Sequence, residues 1–288
     1  MLYESTTTAV ESTAVAVSKL AIGIEYNGAQ YYGYQTQHNN LPTIQAAVES
    51  ALSQVAGGQP IQLSGAGRTD AQVHACEQVA HFQPPVARDT KAWLFGANRY
   101  LPKDISVLWV AKVAEDFHAR FSAQRRRYRY VIYSNPIRPA LLREGITWTH
   151  KKLDAQRMHA AAQLLLGTQD FTSFRASECQ SKSPIKTIDA ISVVTYGRYV
   201  VLDVRADGFL HHMVRNIAGT LIAVGAAEKP IDWVAEALAA KQRAQAGVTA
   251  PPYGLYLVQV EYPSVFALPQ RELGPHFLSA MPDMLARD

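Results

Sequence analysis

The sequence predicts an α+β fold made of two β-α-β-β-α-β halves, with mixed and mainly antiparallel sheets. Three observations carry this. Apolar residues switch repeatedly between a two-residue and a 3.6-residue period, the signatures of half-buried strands and amphipathic helices. The elements so defined follow a ferredoxin-like order in the first half, and the second half repeats the architecture without any sequence repeat. Finally, 288 residues with 48% hydrophobic and 18% charged side chains suffice for a packed core of one large or two modest domains.

The elements follow in order. Residues 19–26 alternate as a strand, and Asn27-Gly28 marks a turn. Ile44, Ala47, Val48, Ala51, Leu52 and Val55 share one helical face, with Thr43 as N-cap and Gly57-Gly58 as stop. Short strands are expected over 61–66 and 77–82, a helix over 90–100 and a strand over 105–113. The second half opens with a strand over 127–133 and a helix over 153–166. A hairpin, 187–196 with 199–205, turns at Gly197-Arg198. Helices over 210–224 and 231–241 and a strand over 255–261 complete it. The expected division is a disordered tail (1–18), an N-terminal domain (19–114), a C-terminal domain (115–264) and an irregular tail (265–288).

Composition excludes several classes. The net charge of +4, from 28 basic and 24 acidic residues, permits a nucleic-acid partner without demanding one. Cys76 and Cys179 are too few and too far apart for a disulfide framework or a cysteine-rich zinc site. No apolar run approaches the roughly 20 residues of a membrane span. Residues 1–17 carry Glu4 and Glu11 but no lysine or arginine, unlike a secretory signal. A cytoplasmic protein is expected.

Three motifs invite chemistry. Gly65-Ala66-Gly67-Arg68-Thr69-Asp70 imitates the start of a dinucleotide fingerprint, but Asp70 replaces the third glycine and would repel a pyrophosphate. A tight turn presenting Arg68 and Asp70 fits better, and such a pair is most often a surface ion pair. His74, His81, His211 and His212 with Asp70 could suggest a metal site. Their spacing matches no known zinc pattern, however, and adjacent histidines on a helix point to different faces, so polar-lining histidines are expected. The run 117–130 interleaves Arg120, Arg125, Arg126, Arg127 and Arg129 with Phe117, Phe121, Tyr128 and Tyr130. Arginine forks grip phosphates and aromatic faces stack on unpaired bases, which favours nucleic acid over a merely solvated strand edge.

The motifs 66–74 (AGRTDAQVH), 117–123 (FHARFSA), 127–130 (RYRY), 170–175 (DFTSFR), 211–217 (HHMVRNI) and 254–257 (GLYL) together resemble the tRNA pseudouridine synthase A family, over nearly all of 19–263. Gln72 and Tyr34 depart from it, standing where the family commonly has glycine and tryptophan. The resemblance implies the pseudouridine synthase fold, with the two halves meeting at a central positively charged cleft. It also implies a cofactor-free isomerase acting on uridines 38, 39 and 40 of the tRNA anticodon stem-loop, working as a homodimer. Asp70 would be the nucleophile or base, kept ionised by Arg215. Tyr128 would lie against the target base and Leu257 would wall it. Arg68 would fill the space left by the flipped base. Tyr128 is also a candidate for removing the C5 proton. Phe117, His118, Ala119, Arg120 and Phe121, with Glu178, Cys179, Gln180, Ser181 and Lys182, would contact tRNA, and Arg88, Arg125, Arg126 and Arg127 would meet phosphates.

Two other readings compete. One is an RNA-binding module or chaperone, against which stands the lack of an RRM-type aromatic strand motif. The other is a metal-dependent nuclease using Asp70 and the histidines, which a chelator would silence.

Overall fold

The computed structural model describes residues 18–37 and 41–285. The expected N-terminal tail therefore lies, except for Ser18, outside the described residues. The first half holds β1 (Leu20–Tyr26), α1 (Ile44–Val55), β2 (Ser64–Gly65), β3 (His74–Phe82), α2 (Thr90–Tyr100) and β4 (Ile105–Lys112). The second holds β5 (Arg125–Ser134), β6 (Thr147–Thr149), α3 (Ala155–Gln163), β7 (Gly167–Asp170), β8 (Ile185–Tyr196), β9 (Tyr199–Ala206), α4 (Met213–Gly225), α5 (Trp233–Ala240) and β10 (Leu255–Glu261). Helix starts follow the side chains that satisfy their free N–H groups: Thr43, Asp89 and Asp154 each accept from backbone N–H groups of the first turn.

Among the described residues, ten strands form one continuous sheet, in the order β4-β1-β3-β10-β5-β9-β8-β7 with β2 beside β3 and β6 beside β5. Neighbours are antiparallel except at β10–β3 and β5–β6. The join between the halves is β10, which runs parallel to β3 on one side and antiparallel to β5 on the other. It sets Leu257 opposite Ala75 and Tyr128. The α1–α2 layer packs Ile44, Val48, Leu52 and Trp93 onto Ile22, Ile24 and Phe82, and α3–α4 cover Tyr130, Ile132, Leu202 and Val204.

Three helices are shorter at one or both ends than their apolar periodicity suggests. Gly167 at φ 90° turns the chain from α3 into β7, and the left-handed His212 (φ 60°) places the start of α4 at Met213 rather than 210. The third, α5, spans Trp233–Ala240 and closes at Lys241, which is also left-handed (φ 50°).

The five arginines of the 117–130 run separate by the alternation of β5. Arg127 and Arg129 point to the sheet face opposite the helices. Arg127 grips Asp203 with Nε and Nη2 at 2.7 and 2.8 Å, and Arg129 Nε meets Asp203 at 2.9 Å. The segment after β10 closes over this face. Leu278 and Met281 pack on Val131, Val201 and Val258, Gly274 O accepts from Arg129, and Asp283 accepts from Arg127. The expected irregular tail is thus a strap with buried anchors. The Arg127 hydrogen bond, outweighing the opposing effect of partial burial, lowers the Asp283 pKa from 3.8 to about 2. A carboxylate with a lowered folded pKa stabilises above its unfolded pKa and loses that contribution as pH falls through the folded one. The melting-temperature gap between wild type and Asp283→Asn is expected to be full above about pH 4 and to close below about pH 2, as thermal melts across that range would show.

Candidate active site

The loop between β2 and β3 carries Asp70, and backbone bonds fix it from several sides. Ala66 N–H donates to Val79 O, Tyr34 N–H to Thr69 O and Gln72 N–H to Tyr31 O. Beneath it, Tyr26 and Thr69 share a 2.8 Å hydroxyl contact, and Gln78 donates to Gly67 O. The loop presses so closely on Gly33 that a Cβ there would sit 2.8 Å from Thr69 O.

Arg126 ties this loop to its surroundings. One guanidinium donates to Ala66 O at 3.0 Å, Arg120 O at 2.9 Å, Ala123 O at 3.2 Å and Asp207 O at 3.1 Å. These oxygens belong to the Asp70 loop, the 117–123 segment and the β9–α4 connection. The expected phosphate ligand is therefore an internal brace. Spacing gives no hint of this, because the acceptors are main-chain carbonyls from distant segments.

Gln72 adopts φ 66°. This left-handed conformation costs a side-chain-bearing residue about 1 kcal/mol, partly offset for glycine by its greater chain entropy. Gln72→Gly is expected to keep activity and to change unfolding free energy by no more than about 1 kcal/mol in urea titrations.

The Asp70 carboxylate, 22% exposed, faces the entry to α4. Arg215 Nη1 lies 3.4 Å from Oδ2, while its Nε donates to Ala250 O at 2.8 Å, which fixes the guanidinium's direction. The histidines depart from expectation. His211 and His212 precede the helix instead of lying on it, and both turn Nε2 toward Asp70, at 3.5 Å from Oδ1 and 3.4 Å from Oδ2. Their ring centroids are 4.0 Å apart. Burial, outweighing the Asp70 charge, lowers the His212 pKa below its usual 6.5. The left-handed His212 brings the two rings to one side, a feature that helical periodicity cannot reveal.

Tyr128 and Leu257 stand side by side on adjacent strands, and Phe209 meets Tyr128 edge-on at 5.1 Å. Burial, reinforced by the Asp70 charge, raises the Tyr128 hydroxyl's pKa well above its usual 10. It therefore stays a phenol at neutral pH and presents an apolar ring with a polar tip.

The remaining expected contacts divide. Arg68 is exposed, with Nη1 2.8 Å from Gln180 Oε1, so the Asp70 loop meets the 178–182 segment. Glu178, Gln180 and Lys182 are exposed, whereas Cys179 and Ser181 are half-buried, their carbonyls accepting from Arg175. Arg88 is exposed between β3 and α2. In the 117–121 segment, Phe117 and Ala119 belong to the core; Phe117 packs against Tyr262 and Phe266. His118, Arg120 and Phe121 face outward, with Phe121 76% exposed. Arg125 pairs with Asp189 at 2.9 Å, and Arg127, 2% exposed, is committed behind the sheet and offers nothing to the cleft. An open cavity of about 310 Å³ adjoins His211 and His212 and is also lined by Ser177, Glu178, Arg243 and Thr249.

The sequence profile of the family described as tRNA pseudouridine synthase matches residues 22–122 and 161–263. The chain is similar to tRNA pseudouridine synthase A of Pseudomonas aeruginosa, 57% identical over 277 residues, which span 96% of this chain and 97% of the relative. It is 54% identical to the protein of the same name from Salmonella arizonae over 263 residues, 91% of this chain and 97% of that one. A third, from Escherichia fergusonii, is also 54% identical, with the same shares covered. With most of its length matched in both comparisons, the chain belongs to the tRNA pseudouridine synthase family.

Proposed function

We propose that the protein converts uridine to pseudouridine at positions 38, 39 and 40 of the tRNA anticodon stem-loop, without a cofactor, with Asp70 as the nucleophile or base. The observation that carries this is one carboxylate held by Arg215 beside the adjacent Tyr128 and Leu257. A flipped uridine would lay its ring on Tyr128 against Leu257 and bring C1′ to Asp70. The C1′–N1 bond breaks, the uracil turns over, C5 bonds to C1′, the C5 proton leaves to solvent, and N1 takes up a proton in exchange. No electron is gained or lost, so the reaction needs no redox partner. The raised pKa of Tyr128 favours a stacking and orienting role over that of a resting base. Arg68, on the same loop as Asp70, would enter the vacated stack, exchanging Gln180 for RNA. Exposed Arg88, Arg120, Phe121 and Lys182 are the outward groups suited to phosphate and base contacts.

In this reading the protein works in the cytoplasm as a homodimer that a single tRNA spans. Among the described residues, no helix is long and apolar enough to cross a membrane. The test is tritium release from tRNA carrying 5-tritiated uridine. Release matched by pseudouridine at positions 38–40 is expected. Stable binding with all tritium retained would instead mark a non-catalytic RNA-binding protein.

A further inference from the structure

The contacts around Asp70 suit more than an RNA substrate. Three metal-ligating side chains converge there, and their ligand atoms all lie within 4.8 Å of one another. The two carboxylate–imidazole separations, 3.5 Å from His211 to Oδ1 and 3.4 Å from His212 to Oδ2, are each close to the edge of a coordination tetrahedron, so an ion can be held between the imidazoles with the carboxylate turning to offer one oxygen or both. With bonds of about 2.0–2.1 Å from a metal to nitrogen or oxygen, that edge is about 3.3–3.4 Å. The imidazole-to-imidazole edge can close by small side-chain rotations, since all three groups are only partly buried. An open cavity of about 310 Å³ adjoins both histidines, so water can reach their side of the cluster as a fourth ligand.

We propose that Asp70, His211 and His212 form a binding site for a divalent first-row transition ion, zinc foremost, and that the bound ion inhibits the enzyme by occupying the Asp70 carboxylate.

Two imidazoles and one carboxylate select such ions over magnesium, which prefers oxygen ligands and keeps its waters. The magnesium that accompanies tRNA would thus leave the site free. Arg215 opposes the ion. Its guanidinium, steered by Ala250 O, stays 3.4 Å from Oδ2 and adds a positive charge beside the site. Binding is therefore reversible and requires strong imidazole coordination. Cys179 is the nearest thiol, with Sγ accepting from His211 N–H, and it stands outside the ligand set. Ion binding itself does not depend on the proposed function; only the inhibition does.

The test titrates metal-free full-length protein with Zn²⁺ by calorimetry and with Co²⁺ by visible absorption. One ion per chain and Co²⁺ ligand-field bands are expected. The doubly substituted His211→Gln/His212→Gln protein should lose at least tenfold in affinity, with its fold checked by thermal melting. Asp70→Asn, read by the Co²⁺ spectrum, serves should the double variant fail to fold. Cys179→Ser should bind as wild type does. No binding by wild type, equal binding by the His variants, or loss on Cys179→Ser would overturn the site. In the second arm, Zn²⁺ but not Mg²⁺ should lower the turnover number at saturating tRNA while filter binding of tRNA stays within a few-fold, and a chelator should restore turnover; turnover unchanged with the ion bound would overturn the inhibition. A protein that binds the ion but forms no pseudouridine upholds the site and defeats the proposed function; one that forms pseudouridine but binds no ion does the reverse.

Discussion

Asp70→Ala is expected to lower pseudouridine formation by at least about 10⁴-fold, the scale of losing a group that attacks the reacting centre. Binding should follow a different course. In the proposed reading the exposed Arg68, Arg88, Arg120 and Phe121 would hold the RNA, and removing one carboxylate takes no phosphate contact away. The dissociation constant for tRNA is expected to stay the same or to fall slightly, because Arg215 and the two histidines lose their shared anion. Single-turnover assays beside filter binding separate the two quantities. Measurable turnover in pure Asp70→Ala protein would sink the assignment of Asp70.

Asp203→Ala tests the other side of the sheet and is expected to be the most destabilising of the substitutions considered. Asp203 is the shared anion of Arg127 and Arg129, and all three side chains are buried. Its removal leaves Arg129 with only the Gly274 carbonyl and Arg127 with the partly exposed Asp283. Breaking a buried pair in this way costs about 3–5 kcal/mol. For a chain of this size that lowers the melting temperature by roughly 10 °C. Replacing the three residues together by apolar side chains of similar volume should restore most of the loss, since no charge then remains buried without a partner. A melt of the single variant within about 2 °C of wild type would show that this cluster contributes little.

Much of the fold was legible because the signals are local. Alternation in 105–113 marked β4, and Thr43 with the spacing from Ile44 to Val55 marked α1. Strands β6 and β7 escaped because they are short and polar and owe their pairing to β5 and β8. The site was legible only through its motifs, since Asp70 and Arg215 lie 145 positions apart. The arginine run was half legible. A two-residue period already sends Arg127 and Arg129 to the face opposite Tyr128 and Tyr130. That this face is buried follows from Asp203 and a strap beyond β10, neither of which leaves any mark near residue 127. His211 and His212 were misplaced because one left-handed residue broke the helical period that had been extended through them.

The position of β10 has a consequence for how the enzyme is made. It begins about 170 residues after β3 ends, and β3 and β5 touch only through it. At about 5–20 residues per second, a ribosome needs on the order of 10–35 s to cover that stretch. Once β5 has been made, the nascent chain displays the unpaired edge of β5 together with the part of the β3 edge that β2 leaves open, features prone to join a neighbouring polypeptide. Tyr128 waits for Leu257 while the next 129 residues are made. A truncated translation product ending before β10 would therefore be both inert and sticky, and fit for degradation rather than for partial service.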